Sequence, residues 1–176
     1  MLKSPIKWVG GKSKLFDNIS QHYPKEINNY HELFVGGGSS LIGFLNMMKT
    51  GKINITGKIY AYDSNDVLIA YYKFLQTDYT SVYETVMKIK NAEIEDKEQY
   101  YYHIRNSYNN REQVDIMKVA EFIYMNKTGF RGVFRLNKSG GYNVPYGHYK
   151  NPKIVDKQHL KKVSELIKDV EFICCD

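Results

Sequence analysis

The sequence predicts an α/β fold, because short apolar strands are each followed by a polar turn and an amphipathic helix. One such unit occupies residues 31–48 and a second occupies residues 58–75. Near the end of the chain, a helix over residues 156–167 leads into a last apolar strand at 170–175. Strands that alternate with helices in this way form parallel sheets, and 176 residues suffice for one domain with a small insertion.

The first unit carries a glycine loop. Phe34 and Val35 end an apolar run, three glycines follow at residues 36–38, and Ser39 or Ser40 can cap the next helix. The apolar side chains of that helix recur at helical spacing: Leu41, Phe44, Leu45 and Met48. Such a loop is either a tight turn or a place where a ligand approaches the backbone. The next glycine, Gly43, does not fit the dinucleotide fingerprint, which disfavours NAD.

The second unit ends its strand on an acid. Asp63 follows the strand at residues 58–62 and precedes an apolar helix. Its carboxylate either accepts hydrogen bonds from the ribose of a bound nucleotide or caps that helix. Upstream, the single tryptophan, Trp8, lies beside a glycine pair and Lys12. That pattern alone fits a buried tryptophan next to a surface turn equally well.

The middle of the chain is predicted to be helical. Apolar residues recur at helical spacing in two stretches, Val82, Val86 and Ile89, and then Ile116, Val119, Ala120 and Ile123. The charged residues 93–98 are predicted to form a solvated connector. A tyrosine run at residues 100–102 could face DNA, although packing in the protein is favoured. Asp156 is predicted to cap the last helix.

Residues 126–152 have the composition of a DNA-reading hairpin. Basic and aromatic side chains are interleaved there with glycines and other turn residues. This mixture suits phosphate contact, base stacking and close backbone approach. The alternative is a tyrosine-rich hairpin that is merely solvated.

Composition narrows the class of partner. The chain has 25 Lys and Arg against 19 Asp and Glu, a net charge of +6, which favours a polyanion. A membrane surface fits that charge equally well, but no apolar run approaches about 18 residues and no signal pattern precedes Trp8. A soluble intracellular protein is therefore expected. The only cysteines are the neighbours Cys174 and Cys175, and the five histidines are scattered, so neither a disulfide nor a metal site is expected.

Together, these motifs resemble the Dam-like family of DNA adenine methyltransferases, enzymes that use S-adenosylmethionine and act on double-stranded DNA. The resemblance runs from Lys7 to Asp176. It implies a Rossmann-like methyltransferase fold whose sheet is incomplete here, with an inserted recognition domain of helices and a β-hairpin. The implied parts are a cofactor-binding part at residues 1–76, the recognition insertion at 77–153, and a return to the sheet at 154–176.

The resemblance also implies roles for cofactor residues. Trp8 and Lys12 match the family's N-terminal cofactor motif, and Phe34, Gly36 and Gly38 match its glycine loop. Asp63 matches the residue that holds the cofactor ribose, and Asp176 matches the acid that accepts from the adenine amino group of the cofactor. Leu33 departs from the usual proline.

In the hairpin, the resemblance implies an aromatic wedge at Phe130, a guanine-reading arginine at Arg135, and apolar base contacts at Val133 and Pro145. Arg131 stands where some relatives carry Asn. Further DNA contacts are expected from Asn137, Lys138, Tyr146, His148 and Lys150, with phosphate contacts from Lys127, Arg131, Lys138, Lys150 and His148. The implied target is GATC.

The family's catalytic Asp-Pro-Pro-Tyr motif is absent from these residues. None of the four prolines is adjacent to another, and Asp176 is no substitute for the motif. The chain therefore resembles the first two-thirds of the enzyme, and two hypotheses remain. The first is an adenine methyltransferase completed by a C-terminal segment or a second polypeptide. The second is a sequence-specific DNA-binding protein on a methyltransferase scaffold that has lost catalysis.

Overall fold

A computed structural model describes residues 2–176. The helices are α1 Phe16–Ser20, α2 Ser39–Lys49, α3 Asp66–Asn91, α4 Lys97–Asn110, α5 Ile116–Thr128 and α6 Lys157–Ile167. The strands are β1 Glu26–Ile27, β2 Tyr30–Glu32, β3 Asn54–Ile55, β4 Ile59–Asp63 and β5 Val170–Cys174. Short 3-10 turns occupy Lys12–Lys14 and Phe130–Gly132. Across residues 2–176, no helix combines the length and the apolar character needed to cross a membrane.

Two small parallel sheets confirm the α/β prediction. The larger has the order β2-β4-β5 and the smaller pairs β1 with β3, all in parallel. Glu32 pairs with Ala61, and Asp63 pairs with Cys174. Because the strands are parallel, their carboxyl ends meet at one edge of the sheet.

The two faces of the larger sheet differ. Ile59 and Ala61 on β4 and Phe172 on β5 are buried, and Tyr72 of α3 stacks on Phe172 with ring centres 4.7 Å apart. The opposite face carries an aromatic row, in which the exposed His31 ring stacks on Tyr60 at 4.7 Å. We call this row, formed by His31, Tyr60 and Tyr62, the aromatic face.

Helix α3 runs through the boundary predicted between residues 76 and 77. Its backbone leaves helical geometry at Asp78, whose carboxylate accepts a hydrogen bond from the Ser81 amide at 2.9 Å and so recaps the helix. Beyond this kink, the predicted apolar residues Val82, Val86 and Ile89 are buried. One hydrophobic core includes residues from both sides of the kink.

Helices α4 and α5 form the support beneath the predicted hairpin. The buried Tyr101 hydroxyl donates to the Val144 carbonyl at 2.9 Å, and Tyr100 donates to the Ile89 carbonyl at 2.7 Å. The packing interpretation of the tyrosine run is therefore confirmed for these two residues. Asp156 caps α6 as predicted by accepting from the His159 amide at 2.9 Å.

Candidate functional site

A cleft of about 570 Å³ opens at the carboxyl ends of β2 and β4. It brings together five of the residues predicted to bind a cofactor: Trp8, Lys12, Phe34, Gly36 and Asp63. Strand, loop and helix follow one another here as the sequence predicted, except that β2 ends at Glu32, before the apolar pair Phe34 and Val35. The chain turns outward at Leu33 and Phe34, which are 62% and 85% exposed, and Val35 returns to the core.

The glycine loop is shaped by close packing. Gly36 and Gly38 have φ angles of +47° and +73°, in the left-handed region that favours glycine. A Cβ atom on Gly36 would lie 2.7 Å from the Trp8 indole nitrogen, and one on Gly38 would lie 2.7 Å from the Tyr72 hydroxyl oxygen. Tyr72 in turn donates to the Gly36 carbonyl at 2.9 Å. The loop therefore has no room for side chains at these two positions.

The predicted serine cap of α2 is wrong. Gly38 occupies the N-cap position, and no side chain of residues 2–176 caps the helix. Ser39 and Ser40 instead lie in the first turn and line the cleft. Because the left-handed Gly38 sets the start of the helix, the first amides of α2 keep no side-chain partner, and such amides are donors for a ligand.

Asp63 lies at the end of β4 and holds the loop in place. One carboxylate oxygen accepts from the Gly36 amide at 3.0 Å and the other accepts from the Asn65 amide at 3.1 Å. Helix α3 is capped by Asn65, which accepts from the Leu68 amide at 3.0 Å. The helix-cap interpretation of Asp63 therefore fails. An ionised carboxylate has about four acceptor sites, so Asp63 can still accept from a ligand.

Glu32 is a second carboxylate in the cleft, and the sequence interpretation missed it. It ends β2 as Asp63 ends β4, and it accepts a 2.6 Å hydrogen bond from the Tyr30 hydroxyl. Burial raises the pKa of Glu32, while the Tyr30 hydrogen bond and the nearby Lys12 charge act to lower it. The available signal was its position, since an acid that closes a strand just before a glycine loop lies at the same sheet edge as Asp63.

The remaining residues predicted to bind a cofactor lie in different settings. Trp8 stacks on Phe134 with ring centres 5.8 Å apart, so it joins the cleft to the hairpin. The Lys12 ammonium donates to the Gly10 carbonyl at 3.0 Å. Gly38 does not line the cleft and acts through the backbone. Asp176 is exposed two residues beyond β5 and does not line the cleft either, although the neighbouring Cys175 amide donates to the Asp63 carbonyl at 3.2 Å.

The segment predicted as a β-hairpin folds back on itself without regular strands. Two isolated antiparallel bridges join Gly129 to Tyr146 and Leu136 to Tyr142. Between them, the Asn143 amide donates to the Arg135 carbonyl at 3.1 Å. Residues 126–128 belong to the end of α5 instead. We call residues 129–150 the irregular hairpin.

Asn126 anchors this hairpin to the start of the chain. It is 1% exposed, and its side chain accepts from the Lys7 amide at 2.9 Å and donates to the Lys7 carbonyl at 2.8 Å. The same amide nitrogen donates to the Gly132 carbonyl at 3.2 Å. The segment carrying Trp8 and the hairpin are therefore fixed to each other.

Most of the predicted DNA-contacting side chains reach solvent. Phe130 is 48% exposed, and the other exposed members are Arg131, Arg135, Asn137, Lys138, Pro145, His148 and Lys150. Val133 is half-buried, and Tyr146 is buried with its ring 5.5 Å from that of Tyr101. Tyr146 thus supports the hairpin from behind.

Four members of the predicted set already have internal roles or constraints. The Asn137 side-chain oxygen accepts from the Gly141 amide at 2.8 Å and closes the hairpin tip. Arg131 and His148 have φ angles of +54° and +52°, which non-glycine residues seldom adopt. Lys127 is half-buried, and burial together with the Lys7 charge lowers its pKa to about 8.

The sequence of the chain is similar to those of known methyltransferases. The chain is 38% identical over 186 residues to the type II methyltransferase M.MjaIII of Methanocaldococcus jannaschii, covering 99% of this chain and 62% of that protein. It is 35% identical over 169 residues to the DNA adenine methylase of Vibrio cholerae, covering 96% of this chain and 56% of the relative. It is 34% identical over 173 residues to the retron Ec67 DNA adenine methylase of Escherichia coli, covering 96% and 55%.

The chain thus spans between 55% and 62% of the length of these relatives. Residues 8–176, which include the cleft and the irregular hairpin, match the family model of the D12 class. The chain belongs to the D12 class of N6 adenine-specific DNA methyltransferases.

Proposed function

We propose that this chain is the cofactor-binding and DNA-recognition part of an enzyme that methylates adenine N6, with GATC as its target and S-adenosylmethionine as its methyl donor. The observation that carries the proposal is the cleft, where a glycine loop with no room for side chains meets two carboxylates at the carboxyl edge of a parallel sheet. Open α/β sheets of the Rossmann type bind nucleotides at this edge.

The residues of the cleft fit the cofactor chemically. A volume of about 570 Å³ suits a small-molecule ligand. Asp63 has acceptor sites left for ribose hydroxyls, and Phe34 offers an exposed ring at the rim. Glu32 adds negative charge, which complements a ligand that carries both a sulfonium and an ammonium group. When bound, S-adenosylmethionine supplies an electrophilic methyl group.

Asp176 is a proposed part of the same site. The backbone next to Asp176 is fixed beside Asp63, because the Cys175 amide donates a hydrogen bond to the Asp63 carbonyl. A small movement of the exposed Asp176 toward the cleft upon cofactor binding is compatible with its assigned contact to the cofactor adenine amino group.

The irregular hairpin is proposed to bind DNA. The net charge of +6 favours a polyanion, and exposed basic side chains lie along both arms and the tip. Arg135 is proposed to read guanine, since its fork meets two acceptors in the major groove. Phe130 is the proposed wedge, Val133 and Pro145 the apolar base contacts, and Arg131, Lys138 and Lys150 the phosphate contacts.

The cleft and the hairpin are proposed to act as one unit. Trp8 packs against the glycine loop on one side and stacks on Phe134 of the hairpin on the other. Asn126 adds hydrogen bonds between the N-terminal segment and the hairpin. Cofactor binding and DNA reading are therefore expected to influence each other.

We further propose that residues 1–176 alone transfer no methyl group. They contain no Asp-Pro-Pro-Tyr motif that could hold and stack a flipped adenine. The aromatic face is consistent with an additional layer, because parallel sheets are normally covered on both faces. A polypeptide with the catalytic motif, joined to this chain or separate, is proposed to complete the enzyme. The alternative is a DNA-binding protein that performs no methyl transfer.

Calorimetry with S-adenosylmethionine tests the cofactor assignment. The Asp63→Asn variant keeps an oxygen for the Gly36 amide but loses the charge, and Asp63→Ala loses both. Loss of a charge-assisted hydrogen bond predicts roughly 10- to 100-fold weaker binding for Asp63→Ala, with Asp63→Asn between that variant and wild type. Asp66→Ala, an exposed acid on the same turn, is the matched control and should bind like wild type.

Two results would contradict the proposal. Equal affinity of wild type and Asp63→Ala would remove Asp63 from the site. Wild type that binds no S-adenosylmethionine would favour the DNA-binding alternative. A methyl-transfer assay then separates the remaining possibilities, since addition of a relative's segment with the catalytic motif should start transfer to DNA that the 176-residue chain alone does not perform.

A further inference from the structure

Among residues 2–176, the Arg135 side chain donates hydrogen bonds to one residue, Asn143, on the opposite arm of the hairpin. The Arg135 Nε donates to the Asn143 side-chain oxygen at 2.7 Å, and the Arg135 Nη2 donates to the Asn143 carbonyl at 3.2 Å. The Asn143 amide donates to the Arg135 carbonyl at 3.1 Å. An exposed arginine with both of these donors engaged has a restricted orientation.

The engaged donors all lie on one edge of the guanidinium group. A guanidinium presents Nε and Nη2 along its side edge, and Nη1 and Nη2 along its end edge, in a fixed planar fork. Asn143 occupies the side edge and leaves the end edge with two parallel N–H bonds. Two parallel donors are what the O6 and N7 acceptors of guanine require.

The backbone of Asn143 is itself pinned on both sides by helix α4. The Asn109 side chain accepts from the Tyr142 amide at 2.8 Å and donates to the Tyr142 carbonyl at 3.0 Å. On the other side, the Val144 carbonyl accepts from the Tyr101 hydroxyl at 2.9 Å and from Arg105 at 3.1 Å. Asn143 therefore transmits the position of helix α4 to a side chain on the surface.

We propose that Asn143 is the positioning residue that presents the free edge of Arg135 to a guanine base. The inference rests on the proposed function, in which Arg135 reads guanine. Without Asn143, Arg135 would sample many rotamers in solvent, and each binding event would have to order them. Asn143 thus increases sequence discrimination without touching a base.

Selection from a pool of duplexes with four randomised central base pairs tests the proposal without assuming GATC. Wild type should enrich guanine at one position, and Arg135→Ala should lose that enrichment. Asn143→Leu, similar in size but without an acceptor, should lower the enrichment by roughly 2- to 10-fold, the equivalent of ordering one long side chain. Asn143→Asp restores a side-chain acceptor, so it should keep the enrichment while its charge weakens binding to all sequences.

A double-mutant comparison separates positioning from a direct contact. In the Arg135→Ala background, Asn143→Leu should cause no further change in duplex binding, because Asn143 acts on DNA only through Arg135. Asn143→Ala is the second variant if Asn143→Leu fails to unfold cooperatively. In the free protein, the Arg135 Nε–H signal in NMR should be protected from exchange in wild type and Asn143→Asp, and unprotected in Asn143→Leu or Asn143→Ala.

The outcomes distinguish the role of Asn143 from the proposed reading of guanine by Arg135. Full guanine enrichment in Asn143→Leu, with loss in Arg135→Ala, would overturn the role of Asn143 and leave that of Arg135 intact. An undiminished effect of Asn143→Leu in the Arg135→Ala background would show that Asn143 acts by itself, for example on a phosphate. Wild type that binds DNA without enriching guanine, or binds no duplex, would overturn the proposed reading function and this inference with it.

Discussion

The cleft and the irregular hairpin are stabilised in opposite ways. In the cleft, the loop backbone lies against Trp8 and Tyr72, and no space is left for added atoms at Gly36. In the hairpin, two isolated bridges and a few amide side chains hold a backbone whose functional side chains extend into solvent. The cleft should therefore be intolerant of changes in shape, whereas the hairpin should tolerate them but respond to changes in charge and orientation.

The largest expected difference between the regions comes from adding a methyl group to a left-handed glycine in each. Gly36→Ala meets both the strained φ angle of +47° and the Trp8 ring, and should lower the free energy of unfolding by about 2–5 kcal/mol. Gly140→Ala at the hairpin tip has a φ of +81° but nothing within 4 Å, so only strain of about 1–2 kcal/mol is expected.

Urea unfolding of both variants measures this difference. Gly51→Ala, with a φ of +71° and open space, is a second control for strain without a clash, outside the hairpin. Equal destabilisation of Gly36→Ala and Gly51→Ala would mean that Trp8 moves away without cost, and that the loop is less rigid than its packing indicates.

The predictability of the cleft has a local cause. A strand end, three glycines and an acid closing the next strand are short-range patterns, and the structure brings Gly36 and Asp63 together as the α/β interpretation requires. The errors at Ser39 and Ser40 arose because a left-handed glycine can replace a side-chain cap, and sequence does not show φ angles. Glu32 was missed because its importance depends on the strand register, which aligns it with β4.

A second expected effect contrasts two kinds of basic residue within the hairpin. If the proposed function holds, Arg135→Ala should reduce the proposed preference for GATC over a site altered at its guanine by roughly 1–3 kcal/mol, because the proposed bidentate base contact is lost. Lys138→Ala or Lys150→Ala should weaken all duplexes alike and reduce the salt dependence by about one phosphate contact. Competition binding on duplexes with single base-pair changes, at two salt concentrations, measures both. Uniform weakening by Arg135→Ala would make it a phosphate contact.

The hairpin was predictable in composition but not in structure. Its basic and aromatic residues indicated a nucleic-acid surface, yet the residues that hold it in place are the amides Asn126 and Asn143. Asn126 bonds to Lys7, 119 positions away in the chain, and no local pattern indicates such a pair. Helix α4 fixes the position of Asn143 by hydrogen bonds to the backbone of its two neighbours, Tyr142 and Val144. Tertiary hydrogen bonds of this kind become visible only in the folded chain.

Backbone strain in the two arms should have a smaller effect. Arg131 and His148 have left-handed φ angles, which Asn adopts more readily than Arg or His. Arg131→Asn and His148→Asn should each raise the free energy of unfolding by a few tenths to about 1 kcal/mol. Arg131→Asn should also weaken DNA binding, since the proposed phosphate contact of Arg131 is removed. Urea unfolding measures the expected rise in the free energy of unfolding, provided that its dependence on urea concentration is the same as in wild type. Reduced stability of both variants would show that these angles carry no strain.

The smallest expected effect is a pH dependence caused by Lys127, which lies where the hairpin begins. Burial and the Lys7 charge lower its pKa to about 8 from an ordinary value of about 10.4. Below pH 8 both the folded and the unfolded chain carry the proton, and the folded state bears the full cost of a poorly solvated ammonium. Between about pH 8 and 10.4 the unfolded chain holds more protons, so this contribution raises stability as pH increases.

Buried tyrosines limit the window in which this rise can be seen. Burial raises the pKa of Tyr142 to about 12, so above about pH 10 the unfolded chain loses tyrosine protons first and stability falls. The free energy of unfolding should therefore increase modestly from pH 8 to about 9.5. Lys127→Met should be more stable than wild type at pH 7, and the difference should shrink toward pH 9.5. Lys150→Met, which removes an exposed lysine nearby, controls for lost charge. A difference that is constant with pH for Lys127→Met would show that Lys127 is fully solvated and available to phosphate without any cost of burial.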